Sequence, residues 1–323
     1  MLIRPPEQVI RNWHSDTSCW AEFELRAGDI VVVTPPKCGT TWVQRILDML
    51  LNSSAAQREF TMTQPWLDAY FVPKDIVLPV LEASEEPRSL KSHAPLTALP
   101  LHDDVLYINV ARDPKDACMS FHDHTTAYTS KTLGELDERG ARIEKLGAPY
   151  PRAPGDARAF FRRWLRDPEY APFDDYTACE MFELERSFWE ERRRSNVLMV
   201  HYNDLKADRD GEMRRIAEFV GITIDEPLWS DMVEAAGFAA MKAGSEAMLP
   251  NLAEAFEGGP RRFVNKGTNE RWRGVLTDAD LADYRTLLAA ETTPDLADWL
   301  ENGRLASFDP TPLDRHIERE DVR

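Results

Sequence analysis

Residues Val31 to Leu47, VVVTPPKCGTTWVQRIL, constrain the fold more than any other stretch of the chain. β-Branched residues favour an extended segment, and Thr-Pro-Pro-Lys-Cys-Gly reads as a tight turn. Thr40-Thr41-Trp42 then opens a helix, Thr40–Leu51, with Val43, Ile46, Leu47 and Leu50 at helical spacing. A strand passed to a helix through a short turn begins a strand–helix–strand unit, which calls for a parallel sheet covered by helices. The same turn suits an anion. The helix start offers free N–H groups and the positive end of its dipole. Lys37 adds a point charge, and Thr40 and Thr41 add hydroxyl donors. The phosphate loop of nucleoside triphosphatases carries its lysine after the second glycine. Here Lys37 precedes Gly39, and no glycine stands five residues earlier.

The remaining pattern predicts an α/β fold. Further short apolar runs at Ser89–Lys91, Val105–Ala111 and Val197–Tyr202, with Ile30–Thr34, read as strands buried on both faces. Helices are expected at Asp113–Thr126, Asp156–Leu165, about Tyr176–Arg193, Gly211–Val220 and Pro227–Met241. Segment 129–154 is polar and reads as a mobile insertion or lid. Segment 244–277 reads as a long functional loop. One domain over residues 1–308 and a charged tail over 309–323 are expected.

Charge and cysteines narrow the function. A net charge of −17 disfavours nucleic-acid and anionic-membrane partners, so an anionic ligand needs a local cluster of cations. No apolar stretch of about 18 residues is present. The N-terminus lacks the apolar run of a signal peptide. The four cysteines are widely spaced, without a C-x-x-C pair. These features predict a cytoplasmic protein with free thiols.

Other motifs repeat the theme of a strand end meeting an anion. Arg112 follows an apolar run and precedes Asp113-Pro114, a helix N-cap and first-turn pair; Ser120 lies two turns into that helix. The alternative for Arg112 is a surface ion pair with Asp113 or Asp116. Arg261, Arg262, Lys266, Arg271 and Arg273 cluster in an otherwise acidic chain. A solvated charged loop is the alternative there. His122 and His124 stand two apart on a helix and so face different sides. Either a helix end lining a pocket or plain surface fits them. Trp66, Leu67, Tyr70 and Phe71 form an aromatic segment that is either pocket wall or core.

These residues carry a resemblance. P-K-C-G-T-T-W (Pro36–Trp42) resembles the 5′-phosphosulfate loop, P-K-S-G-T-T-W, of the cytosolic-type sulfotransferases, with Cys38 replacing serine. Arg112-Asp113-Pro114-Lys115-Asp116 with Ser120 resembles their 3′-phosphate motif. Asn265-Lys266-Gly267 with Trp272 resembles R-K-G-x-x-G-D-W, Asn265 standing where arginine is usual. Lys91-Ser92-His93-Ala94-Pro95 resembles K-T-H-x-P. The resemblance implies a P-loop-like sulfotransferase fold that takes 3′-phosphoadenosine 5′-phosphosulfate (PAPS) as donor and needs no metal. Cofactor contacts are implied for Lys37, Cys38, Gly39, Thr40, Thr41, Trp42, Arg112, Ser120, Tyr202, Phe238, Arg262, Asn265, Lys266 and Gly267. Arg261 or Arg262 is expected to replace the missing arginine. His93 is implied as general base, with Lys37, Lys91 and Ser120 in support. Trp66, Tyr70, Phe71, His122 and His124 are expected to face a small aromatic or apolar acceptor. A magnesium-dependent kinase and a catalytically silent nucleotide binder are the alternatives. The family's dimerisation segment, K-x-x-x-T-V-x-x-x-E, aligns with Arg273, Thr277, Asp278 and Ala282. Aspartate in place of the apolar valine predicts a monomer or a dimer through another surface.

Overall fold

The computed structural model describes residues 1–84, 87–166 and 176–307; the tail expected over 309–323 lies outside the described residues. Strands β2 (Ile30–Val33), β3 (Ser89–Ser92), β5 (Leu106–Ala111) and β6 (Val197–His201) form a parallel sheet in the order β3-β2-β5-β6. Two short strands, β1 (Leu2–Arg4) and β4 (Leu101–His102), pair antiparallel beside it.

Alternation along β2 explains the layers. Ile30 and Val32 pack on one face with α1 (Thr40–Leu51) and helices Arg209–Val220 and Glu226–Ala235. Val31 and Val33 pack on the other with α5 (Ala157–Arg166), α6 (Ala178–Glu191) and helices Asp278–Glu291 and Pro294–Asn302. Burial on both faces explains why the strands read as continuous apolar runs. From β2 the order proceeds outward to β3 on one side and to β5 and β6 on the other. The strand ends of β2 and β5 therefore meet where an open α/β sheet holds its ligand.

Several helices depart from the sequence reading. Segment 129–154 is not a loop: Ser130–Arg142 forms α4, which Thr129 caps by accepting from the Thr132 N–H. Gly140 lets α4 lie against Trp13; a Cβ there would come within 2.3 Å of the indole nitrogen. α2 (Lys74–Ala83), which carries Pro79 inside it, was not expected. The helix expected over Pro227–Met241 breaks at Ala236-Gly237 into Glu226–Ala235 and Phe238–Ala243. Gly237 is extended there (φ −64°, ψ 145°) and turns Phe238 to a cavity. Segment 244–277 is mostly loop, with one-turn helices at Ser245–Met248 and Gly259–Phe263.

One carboxyl in the core is unusual. Glu185 on α6 is fully buried, and burial pushes it up to about 8. The folded value lies above the unfolded one, so the unfolded chain releases this proton first as pH rises from about 4.5 to 8. Stability should fall across that window. Glu185→Gln should raise the melting temperature at pH 8 and leave it nearly unchanged at pH 4, as scanning calorimetry would measure.

Candidate functional site

A cavity of about 730 Å³ opens at the carboxyl ends of β2, β3 and β5. It gathers Lys37, Gly39, Thr40, Thr41 and Trp42 from the first turn, Lys91 and His93 from β3, and Arg112 and Ser120 from the second turn. Tyr202, Phe238, Asn265, Lys266, Gly267 and Arg271 complete one end. Trp66, Phe71 and His124 stand on the walls.

The first turn is tightly built. Lys37 takes φ 70°, rare for a residue with a side chain, and Gly39 takes φ 117°. A Cβ on Gly39 would come 3.1 Å from the Tyr202 ring. Lys37 is enclosed, its Nζ 4.1 Å from the Phe263 ring centre and 3.4 Å from His124 Nδ1. Burial, with Lys91 and Arg112 nearby, lowers its ammonium to about 7. Lys91 Nζ lies 4.8 Å from the Trp66 ring centre, and burial lowers it to about 8. Two lysines whose ammonium pKa values are lowered by burial in one cavity suit a negatively charged ligand, which would offset that cost.

Arg112 is not a surface ion pair. It is buried, with Nη1 donating to the Lys37 carbonyl at 3.1 Å and Nη2 to the Thr268 carbonyl at 3.0 Å. Its plane lies 4.2 Å over the Tyr202 ring. The nearby acids are occupied elsewhere. Asp113 caps α3 (Pro114–Thr125) through the Lys115 N–H, and Asp116 accepts from the Glu270 and Arg271 N–H groups. Asp116 thus ties the far loop to the second turn, a role its sequence position did not reveal.

His93 donates from Nδ1 to the Thr34 carbonyl at 2.6 Å. A carbonyl can only accept, so the neutral ring keeps Nε2 unprotonated. Burial first, then Lys91, holds the imidazolium well below the usual histidine value. Trp66 reaches this place because residues 65–67 run along the free edge of β3, with the Leu67 N–H on the Lys91 carbonyl. Its ring stands edge-on to His93 at 4.6 Å.

Four expected contacts are corrected. The Cys38 thiol is buried among core residues, with burial holding it well above the usual value. Only the backbone of that position belongs to the turn. His122 faces away, its Nε2 donating to the Pro154 carbonyl at 2.8 Å. Tyr70 is off the cavity wall, with Arg139 over its ring at 5.1 Å. Arg262 is off the wall too, donating to the Asp123 carbonyl, while Arg261 pairs with Glu246 at the surface. The arginine of this cluster that reaches the cavity is Arg271, paired with Asp123. Asp123 also accepts from Asn265 at 2.8 Å and lies 3.6 Å from Lys266.

Sequence reasoning missed His14 and Tyr128. Both line the cavity, and Tyr128 Oη lies 3.1 Å from both His14 Nε2 and His124 Nε2. Neither stands in a motif, so only the fold brings them here.

The donor set suits a nucleotide carrying two anionic groups. Two turns at adjacent strand ends each present a cation, and flat rings of Trp42, Tyr202 and Phe238 flank them. The Nε atoms of Arg112 and Nε1 of Trp42 are buried without a partner among the described residues. A Cβ on Gly267 would press into the Phe238 ring, so that ring depends on glycine. Fold and site together describe an α/β protein whose cavity suits a phosphate-bearing ligand.

Comparison makes the class specific. Residues 27–293 match the sulfotransferase domain. The chain is 30% identical over 315 residues to a glycolipid sulfotransferase of Mycobacterium bovis, covering 94% of this chain and 96% of that protein. Retinol dehydratase in complex with androsterone and inactive cofactor PAP shares the fold, at TM-score 0.67 and 19% identity, covering 86% of this chain and 84% of that one. Mouse sulfotransferase SULT7A1 complexed with PAP does so at TM-score 0.63 and 19% identity, covering 88% and 92%. The chain belongs to the sulfotransferase family and is a PAPS-dependent sulfotransferase.

The lowered lysines give a direct test. A phosphate beside Lys37 restores its charge, so binding takes up a proton wherever the free lysine is partly neutral. Calorimetry with 3′,5′-diphosphoadenosine at pH 8, in buffers of different ionisation enthalpy, should read uptake approaching one proton per site. At pH 6 Lys37 is already charged, so wild type and Lys37→Met should give the same proton count there, whereas at pH 8 Lys37→Met should remove most of the uptake.

Proposed function

We propose that the chain moves a sulfuryl group from PAPS to the hydroxyl, or amine, of a small acceptor with an apolar body, with His93 as general base. The observation that carries this is the Nδ1–H of His93 tied to the Thr34 carbonyl, which leaves Nε2 as the basic nitrogen. The donor supplies the activated sulfuryl group. His93 Nε2 takes the acceptor proton as the new oxygen–sulfur bond forms. Lys37 and the N–H groups opening α1 stabilise charge on the departing phosphate oxygen, and no metal is needed for this. Lys91 and Ser120 line the same space.

In this reading Arg112, Ser120, Lys266, Gly267 and Arg271, which all line the cavity, hold the nucleotide's 3′-phosphate, with Arg271 in the role left open at Asn265. Trp66, Phe71, His124, Tyr128 and His14 wall the acceptor side. The Mycobacterium bovis relative is named for glycolipid acceptors, which supports a hydroxyl-bearing acceptor with apolar bulk. Incubation with PAPS and a panel of phenols, sterols, alkyl alcohols and glycosides tests the reading through release of 3′,5′-diphosphoadenosine. Acceptor-independent release alone would overturn it.

We also read the chain as not dimerising through residues 273–282. Asp278 sits in the first turn of the helix Asp278–Glu291, capped by Thr277, where an acid complements the dipole. Light scattering should give the same mass for wild type and Asp278→Lys.

A further inference from the structure

Helix α2 is apolar on both faces. Val77 and Leu81 are buried against the core, as a surface helix requires. The opposite stripe, Pro73, Ile76, Pro79, Val80 and Ala83, is exposed, yet it is apolar at each of those positions. Ile76 and Val80 are 54% and 47% exposed. Phe71, just before the helix, is 50% exposed. A continuous exposed apolar stripe on a surface helix marks a contact.

The stripe is continuous with the cavity. Phe71, Val72 and Pro73 line the cavity wall and lead directly into the first turn of α2. Ile76 and Val80 are one turn apart on one side of that helix. An apolar track therefore leaves the cavity mouth beside Trp66 and continues along α2 for its ten residues. The charges on α2 are Lys74, Asp75 and Glu82.

We propose that this track holds the aliphatic chain of the acceptor, whose hydroxyl end lies in the cavity; this rests on the function proposed above. The acceptor is then an amphiphile, a long-chain alcohol or a lipid with a hydroxylated head, rather than a compact phenol. Continuity with the cavity favours a chain that starts inside it. Net charge of −17, with Asp75 and Glu82 beside the stripe, disfavours an anionic bilayer. A stripe of five side chains is small beside the ~800 Å² per partner of a stable dimer.

The test uses the full chain saturated with 3′,5′-diphosphoadenosine and primary alcohols from butan-1-ol to decan-1-ol. Calorimetry should show affinity rising up to about fourfold per methylene through the longest members. The double variant Ile76→Ser, Val80→Ser replaces exposed side chains, so folding should be kept. It should bind butan-1-ol as wild type does and lose tenfold or more of the decan-1-ol affinity. Equal affinity of both proteins for decan-1-ol would overturn the proposal, as would a wild-type series without dependence on length. Co-sedimentation of wild type, but not the variant, with phosphatidylcholine vesicles, while alcohol binding stays unchanged, would assign the stripe to a membrane instead. A wild-type dimer dissociated by the double substitution, again with unchanged alcohol binding, would assign it to a second copy. Length-dependent binding without sulfuryl transfer from PAPS to any alcohol would overturn the proposed reaction and leave the track standing.

Discussion

His93→Ala should lower turnover by about 10²–10⁴-fold, the usual worth of a positioned general base, and leave affinity for 3′,5′-diphosphoadenosine within about twofold. The separation follows from position. His93 follows β3 beside Trp66 and Lys91, whereas the two cation-bearing turns follow β2 and β5. The ring has no hydrogen bond to Lys37 or Arg112 among the described residues; its Nδ1 holds the Thr34 carbonyl. A pH profile adds a second readout. Burial and the Lys91 charge disfavour imidazolium, so His93 stays neutral well below pH 6.5. The acid limb of kcat/KM in wild type should therefore lie below pH 6.5. Lys91→Met removes a like charge and should move that limb upward. Turnover of His93→Ala within tenfold of wild type would remove the histidine as base.

Wild type should bind 3′,5′-diphosphoadenosine at least tenfold more tightly than AMP, and Arg112→Ala should abolish most of that difference. A hydrogen bond between charged groups contributes about 1.5–3 kcal/mol, or roughly tenfold to more than a hundredfold in affinity. Arg112 also braces two carbonyls, at Lys37 and Thr268, so its loss loosens both turns. AMP controls for this: loosened turns weaken both nucleotides, while a lost 3′-phosphate contact weakens only one. Calorimetry on both proteins with both nucleotides gives the four affinities. Equal binding of the two nucleotides by wild type would dismiss the assignment of Arg112 and Ser120.

Much of this site was legible because its parts are local. Val31–Trp42 encodes a strand end, a turn with two left-handed positions and a helix start within one short stretch. Each piece follows from neighbouring residues alone, and the same holds for Asp113-Pro114 at the start of α3. The four sheet strands were legible for a related reason, since burial on both faces leaves a short unbroken apolar run. Helix α4 was not. Gly134 and Gly140 weaken its local helical signal, and Leu136 and Gly140 become a packing face only once Trp13 is opposite.

The errors among site residues have one origin. A motif gives the position of a Cα, not the direction of its side chain. Cys38 lies in the turn, yet its thiol points to the core. His122 and His124 are two apart on α3 and diverge, one to Pro154 and one to Lys37. Arg261, Arg262 and Arg271 are equivalent as charges in a list, and only Arg271 reaches the cavity, because Asp116 holds its backbone and Asp123 its guanidinium.

By itself the sequence determined the parallel α/β architecture and the two cation-bearing turns, while His93 was marked by the resemblance of its motif. The architecture and the turns depend on periodicity, backbone preference and charge over a few consecutive residues. Only the tertiary structure decided which arginine of the basic cluster faces the cavity, that His14 and Tyr128 join His124 on its wall, and that α2 leaves an apolar stripe at the cavity mouth. Each of these depends on contacts between segments far apart in the chain, where the free energy of packing, not local preference, sets the direction of a side chain.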